Sequence, residues 1–438
     1  MKQKTSKEEQ ILIRITGQDR PGLTAAMMSI LARYDAQILD IGQADIHSTL
    51  SLGVLIRIDE THSGQVMKEL LFKATELSVN IGFSPIGDDE YEEWVGQQGK
   101  NRYILMVMGR QLAARQIEAA TRIITEQGLN IDSILRLTGR KSIKHPGKHV
   151  RACIEFSLRG EPADRQKMQA DLMKLSSEME IDFSLQKDDM YRRSRRLICF
   201  DMDSTLIQTE CIDELAIRAG VGDQVKAITE RAMRGEIDFK ESFSQRVALL
   251  KGLDVSVMQD IAEHLPITEG ADRLISVLKR CGYKIAILSG GFTYFGEYLQ
   301  RRFGIDYVYA NELEVDDNGK LTGRYLGEVV DGHRKAELLK LIAQVEKVNL
   351  AQTIAVGDGA NDLPMISEAG LGIAFHAKPR VVANAEQSIN TIGLDGVLYF
   401  LGFKDSYLGE QGKLENVVSP VITRSKTHPT AIKTLPSS

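Results

Sequence analysis

Four short apolar runs, at residues 197–200, 284–288, 353–356 and 371–375, constrain the C-terminal half of the chain more than any other feature. Helix-patterned stretches separate them. Such runs, lacking polar alternation, suit parallel strands buried on both faces. The region 195–408 therefore reads as a doubly wound, Rossmann-like parallel α/β core. Residues 211–268 show helical patterning and no strand, which predicts a helical cap inserted between the first two core strands. Beyond residue 408 the chain is polar and rich in Ser, Thr and Pro, so 409–438 is expected to be a flexible tail.

The N-terminal half has a different texture. Strand patterns at 11–16, 38–47, 50–58 and 79–85 enclose helix patterns at 23–34 and 64–77. The order β-α-β-β-α-β then recurs, with strands at 102–108, 131–138, 150–158 and 181–186 and helices at 113–127 and 164–179. That order is the ferredoxin-like α+β arrangement, an antiparallel sheet with both helices on one face. Two such domains are expected, at 1–92 and 100–187, joined by the acidic, Gly-bearing stretch 88–99 read as a linker. A basic junction, MYRRSRR at 190–196, leads into the core.

With 43% hydrophobic and 26% charged residues, wholesale disorder and coiled coil are excluded. The net charge of −5 gives no electrostatic reason for nucleic acid as a partner, and RRSRR at 192–196 reads as solvated surface or an interdomain contact. No run reaches the roughly 18–20 apolar residues needed to span a membrane. The N-terminal MKQKTSKEEQ has no apolar signal core, so a cytoplasmic address is expected. The four cysteines, none at CxxC spacing, read as free thiols that are mostly buried.

Chemistry gathers at the ends of the apolar runs, where open α/β sheets bind ligands. Asp201 and Asp203 follow the first run directly. One carboxylate there could attack an electrophile while the other moves protons; the bland alternative is a helix cap. Ser289, Gly290 and Gly291 follow the second run and could cradle a phosphate. Lys335 opens a helical stretch upstream of the third run, after which Gly357-Asp358-Gly359-Ala360-Asn361-Asp362 places two carboxylates and an amide in a Gly-rich loop. Oxygen ligands of this kind suit Mg²⁺.

In order, DMDST, LSGG, the Lys335 segment and GDGANDLPM resemble the four motifs of the haloacid dehalogenase (HAD) superfamily, over about 197–405. Residues 201–216 and 235–252 are similar to phosphoserine phosphatases in particular. The DRPG turn (Asp19, Arg20, Pro21, Gly22) resembles that of an ACT domain, a module that often binds amino acids. The whole layout resembles phosphoserine phosphatases with two N-terminal ACT domains. That resemblance implies Mg²⁺-dependent hydrolysis of L-phosphoserine, the last step of serine synthesis. Asp201 would be the nucleophile and Asp203 the general acid and base. The Asp201 side chain, the Asp203 carbonyl and Asp358 would hold Mg²⁺. Ser289, Gly290 and Lys335 would bind the phosphoryl group, with Asn361 near it. Asp362 would orient water or Lys335, and Thr205 would hold Asp201. In the cap, Glu210 would take the substrate ammonium and Arg246 its carboxylate, while Met233 and Phe239 would close over the site.

Another small phosphorylated metabolite, such as homoserine phosphate, would satisfy Glu210 and Arg246 equally. An amino-acid sensor on a dead phosphatase is disfavoured, because Asp201, Asp203, Ser289, Lys335 and Asp358 are all present. A homodimer is expected, and an amino-acid effector, serine or glycine, at the Asp19–Gly22 turn; a plain structural turn is the alternative. The second unit has Gly109-Arg110-Gln111-Leu112-Ala113 in the equivalent place, without Pro-Gly, and is expected to supply packing.

Overall fold

The computed structural model describes residues 7–97, 99, 101–140, 142–145 and 150–408; the tail expected at 409–438 lies outside them. The chain forms two compact units, residues 1–100 and 101–438.

In the first unit the strand order is Gln37–Ile46, Thr49–Asp59, Glu8–Gln18, Asn80–Ile86, all antiparallel. Helices Leu23–Ala32 and Glu60–Glu76 cover one face. Strand Glu8–Gln18 alternates: Ile11, Ile13 and Ile15 enter the core, whereas Arg14 and Thr16 are exposed. The stretch read as a linker instead contains a helix, Asp88–Gly96. Asp88, Asp89 and Glu90 fill its first turn, where the backbone dipole favours acids. It buries none of its residues, so no apolar stripe announced it.

The second unit begins with the repeat. Its strand order, Asn130–Arg136, Ala152–Arg159, Arg102–Gly109, Asp182–Lys187, reproduces the first sheet. Both sheets carry a bulge at the same place, between Ile38 and Asp40 and between Ile131 and Ser133. The two sheets are buried differently, however. On strand Arg102–Gly109, Tyr103, Leu105 and Val107 face the repeat's own helices. Ile104, Met106 and Met108 join the core of the α/β region.

That region holds a seven-stranded sheet, ordered Leu321–Leu326, Tyr307–Val315, Lys284–Phe292, Leu197–Phe200, Thr353–Gly357, Leu371–Phe375, Gln387–Ile389. All neighbours are parallel except the Leu321–Leu326 edge. Four helices, Cys211–Arg218, Gly222–Met233, Phe239–Ala248 and Ser256–Glu263, form the insertion after the first core strand.

Repeat and core are bonded as well as packed. Asp182, fully buried, accepts from the amides of Asn390 (2.7 Å) and Thr391 (3.0 Å) and from the Thr391 hydroxyl (2.5 Å). Arg151 and Arg273 both pair with Asp395, at 2.7 and 2.8 Å. Arg110, in the turn that lacks Pro-Gly, makes a two-pronged ion pair with Glu269 at 2.6 and 2.7 Å. The basic junction is part of the same contact: Arg192 is fully buried against Glu155, and Arg195 is buried against the carbonyls of Ala351 and Thr353. Cys153, Cys199 and Cys211 are buried free thiols, and Cys281 is exposed. Among the described residues no helix is long and apolar enough to cross a membrane.

Candidate active site

Strand Leu197–Phe200 is fully buried between its parallel neighbours and delivers Asp201 at its end, where the Asp201 amide donates to Val356 O at 2.9 Å. A tight turn, Met202–Leu206, follows. Within it Asp203 is extended and Ser204 is left-handed, at φ 57°. This kink buries the Asp203 side chain, whose Oδ1 accepts from the Cys211 amide at 3.3 Å.

The second core strand ends in the Ser289 loop. Ser289 Oγ accepts from Gly291 N at 2.9 Å. A Cβ on Gly291 would lie 2.3 Å from Asp203 Oδ2, so the close approach of the two loops requires glycine there. The Gly290 carbonyl accepts from Asn311 Nδ2 at 2.8 Å, and Asn311 Oδ1 accepts from Val330 N at 2.8 Å. Asn311, 2% exposed, thus ties the loop to the segment that leads to Lys335. No motif marked it in the sequence; it is a polar residue in an otherwise alternating strand.

Asp331 caps helix Gly332–Val345 and so sets the orientation of Lys335. Lys335 is fully buried, with Nζ 2.8 Å from Asp201 Oδ1 and 2.6 Å from Asp362 Oδ1. Asp362 also accepts from Gly359 N at 2.9 Å. The Thr205 hydroxyl, expected to hold Asp201, instead donates to Asp358 Oδ1 at 3.2 Å. The left-handed Ser204 re-aims the chain just before Thr205, which spacing alone does not reveal.

Carboxylate oxygens of Asp201, Asp358 and Asp362 lie within 4.8 Å of one another. Burial, and then the charge of Asp362, push the Asp201 carboxyl well above the usual range. Asp358 is pushed up to about 7, by burial and then by Asp362 and Glu210. Asp203 is pushed up to about 7 by burial and then by Glu210. Burial alone would pull the Lys335 ammonium down, but Asp201 and Asp362 outweigh it and the net shift is upward. Three crowded carboxylates with one lysine leave an excess of negative charge. An oxygen-rich, anionic site of this kind fits a hard divalent cation.

In the cap, the Ser204 hydroxyl donates to Glu210 Oε1 at 2.7 Å. Arg246 is half-buried, and its Nε donates to Ser242 O at 3.4 Å. Among the described residues no carboxylate comes within ion-pair distance of it; burial pulls its guanidinium down from the usual range, and Glu210, Asp213 and Asp203 offset that only in part. Phe239 stacks on Phe243, with ring centres 6.2 Å apart, and its Cζ would be 3.1 Å from a Cβ on Gly290, so it stands over the Ser289 loop. Met233 is 63% exposed, with its sulfur 3.8 Å from Lys378 Nζ. Asn361 turns its side chain back over Gly359. The Asp19–Gly22 turn belongs to the other unit. All four residues are exposed there, Gly22 has φ 90°, and Arg20 donates to Leu77 O at 2.6 Å.

Comparison with known proteins adds to this geometry. Residues 9–84 match the ACT domain, and residues 195–370 match the haloacid dehalogenase-like hydrolases. The phosphoserine phosphatase of Streptomyces coelicolor is 39% identical over 400 residues, 91% of this chain and 93% of that protein. That of Mycobacterium tuberculosis is 38% identical over 393 residues, 90% of this chain and 93% of its own. The unliganded crystal structure of a probable phosphoserine phosphatase from Vibrio cholerae superposes with a TM-score of 0.54, at 36% identity, over 70% of this chain and 87% of that one.

Proposed function

This chain belongs to the phosphoserine phosphatases of the haloacid dehalogenase superfamily, and we propose that it hydrolyses O-phospho-L-serine to L-serine and phosphate through an aspartyl-phosphate on Asp201. This is the last step of L-serine synthesis. The observation that carries the substrate assignment is the pair of opposite charges beside the carboxylate–lysine cluster: Glu210 for an ammonium, and Arg246, without an ion-pair partner among the described residues, for a carboxylate.

Asp201 attacks phosphorus, and the serine oxygen leaves with the proton held by Asp203. A carboxyl pushed up to about 7 retains that proton near neutrality. Asp203, now ionised, takes a proton from the water that cleaves the acyl phosphate, which regenerates Asp201 and frees phosphate. Lys335, Ser289 and the Gly290 amide bind phosphoryl oxygens, where preorganised donors are most effective. Phe239 keeps water from the Ser289 loop. Asp201, the Asp203 carbonyl and Asp358 would hold Mg²⁺, which supplies charge neutralisation so that one anion can approach another. Asp362 holds Lys335, and Thr205 holds Asp358.

The metal assignment has a readout independent of turnover. The raised Asp201 and Asp358 pKa values mean that the metal-free fold binds protons that the unfolded chain, with Asp near 3.9, releases. Their contribution to stability is complete at low pH and is lost as pH rises through the raised values, which for Asp358 is about 7. Mg²⁺ competes with those protons. Its stabilising effect, on the order of 2.7 kcal/mol at a hundredfold excess over Kd, should therefore be larger at pH 8 than at pH 5.5. Melting curves with and without Mg²⁺ at both pH values test this; equal Tm increments would count against the site.

Phosphate release from L-phosphoserine, homoserine phosphate and phosphoethanolamine tests the substrate. Arg246→Lys should raise KM for phosphoserine by roughly 10-fold or more, because a lysine cannot copy the two-pronged guanidinium bond. For phosphoethanolamine, which lacks the carboxylate, the change should stay below about 3-fold. Equal losses on both substrates would remove the carboxylate role from Arg246.

The same proposal places the enzyme in the cytoplasm as a homodimer, with serine or glycine as an effector at the Asp19–Gly22 turn. The ACT match over 9–84 and the exposed turn, whose Gly22 opens helix Leu23–Ala32, support the effector assignment. We also read the second repeat as an ACT-type domain, on its identical strand order and bulge.

A further inference from the structure

Ser204 occupies the left-handed region, at φ 57° and ψ 0°, although it is neither glycine nor asparagine. A side chain there carries strain, and such outliers gather at functional sites. Six residues on, Glu210 sits at the N-cap of helix Cys211–Arg218 but makes no side-chain bond to the helix amides. Ser, Thr, Asp or Asn would ordinarily fill that place. These two locally unfavourable choices meet: Ser204 Oγ donates to Glu210 Oε1 at 2.7 Å. The Ser204 amide donates to Thr209 O at 3.3 Å, closing the loop that leads into Glu210.

We propose that Ser204 is a positioning residue that holds the Glu210 carboxylate in place to receive the substrate ammonium. The proposal rests on the assignment of Glu210 above. Glycine would adopt this backbone without strain, so what serine adds is the hydroxyl. Glu210 is an exposed side chain with several rotatable bonds, and unheld it would be free to swing into solvent. One hydrogen bond to Oε1 restrains it and leaves Oε2 for the ligand. Restraint imposed before binding is ordering that the substrate need not impose itself.

The test compares O-phospho-L-serine with 3-phosphooxypropanoate, which lacks only the ammonium. Ser204→Gly and Ser204→Ala should each lower the ratio of kcat/KM for the two substrates by about 5-fold, through KM for phosphoserine. Ser204→Gly should melt no lower than wild type, because it relieves the backbone. Glu210→Gln should lower the ratio further, and Ser204→Gly should add little in the Glu210→Gln background. Wild-type ratios in both Ser204 variants, with a lowered ratio in Glu210→Gln, would overturn the positioning role and leave the Glu210 assignment intact. An unchanged ratio in Glu210→Gln would remove the ammonium assignment and the proposal together. Full additivity in the double variant would show that Ser204 acts elsewhere, and would also overturn it.

Discussion

Asp201→Asn should reduce phosphate release from L-phosphoserine by roughly 10⁴-fold or more, since it removes the oxygen that bonds to phosphorus. The fold should not suffer. Burial and the neighbouring Asp362 already oppose the charge of Asp201, and an amide oxygen can keep the 2.8 Å bond from the Met202 amide. The variant should melt at or above the wild-type temperature at pH 7.5. Acid quench of enzyme mixed with labelled phosphoserine should trap label on the wild type and none on the variant. A variant that kept more than about 1% of kcat would take the nucleophile role away from Asp201.

Lys335→Met should have the largest combined effect. Nζ is fully buried between Asp201 and Asp362, and methionine fills the space without the charge. Removing one side of a buried ionic group leaves the other uncompensated, at about 3–5 kcal/mol. At 2–4 °C per kcal/mol, Tm should fall by about 10 °C. Loss of the phosphoryl contact should lower kcat by roughly 10³-fold. The double variant Lys335→Met/Asp362→Asn separates the two effects. It should regain much of the stability, because one stranded carboxylate is gone, and none of the activity. A single variant that melted like wild type would refute the ionic coupling.

Much of this site was legible because a parallel sheet turns sequence into position. Asp201, Ser289 and Asp358 each follow a short apolar run, and the runs lie side by side, so their ends meet. What escaped was direction rather than location. Thr205 bonds Asp358 and not Asp201 because one left-handed residue precedes it, and Met233, the last residue of its helix, lies beside Lys378. Asn311 had no motif, and its hairpin partner Leu321–Leu326 had no continuous apolar run to mark it, since that edge is only partly buried. Arg192 and Arg195 were read as surface or junction by residue type, and the junction covered both. Strand Arg102–Gly109 held an unused signal. Its apolar run does not alternate as Glu8–Gln18 does, and a run of that kind requires cover on both faces.

That double cover bears on how such a gene can be cut and rejoined. A breakpoint near codon 100 falls between two compact units. A breakpoint between codons 187 and 197 would part Ile104, Met106 and Met108 from the core they help to build, and Asp182 from Asn390 and Thr391. A cut there would leave the outer face of strand Arg102–Gly109 without its cover and the hydrolase without part of its core.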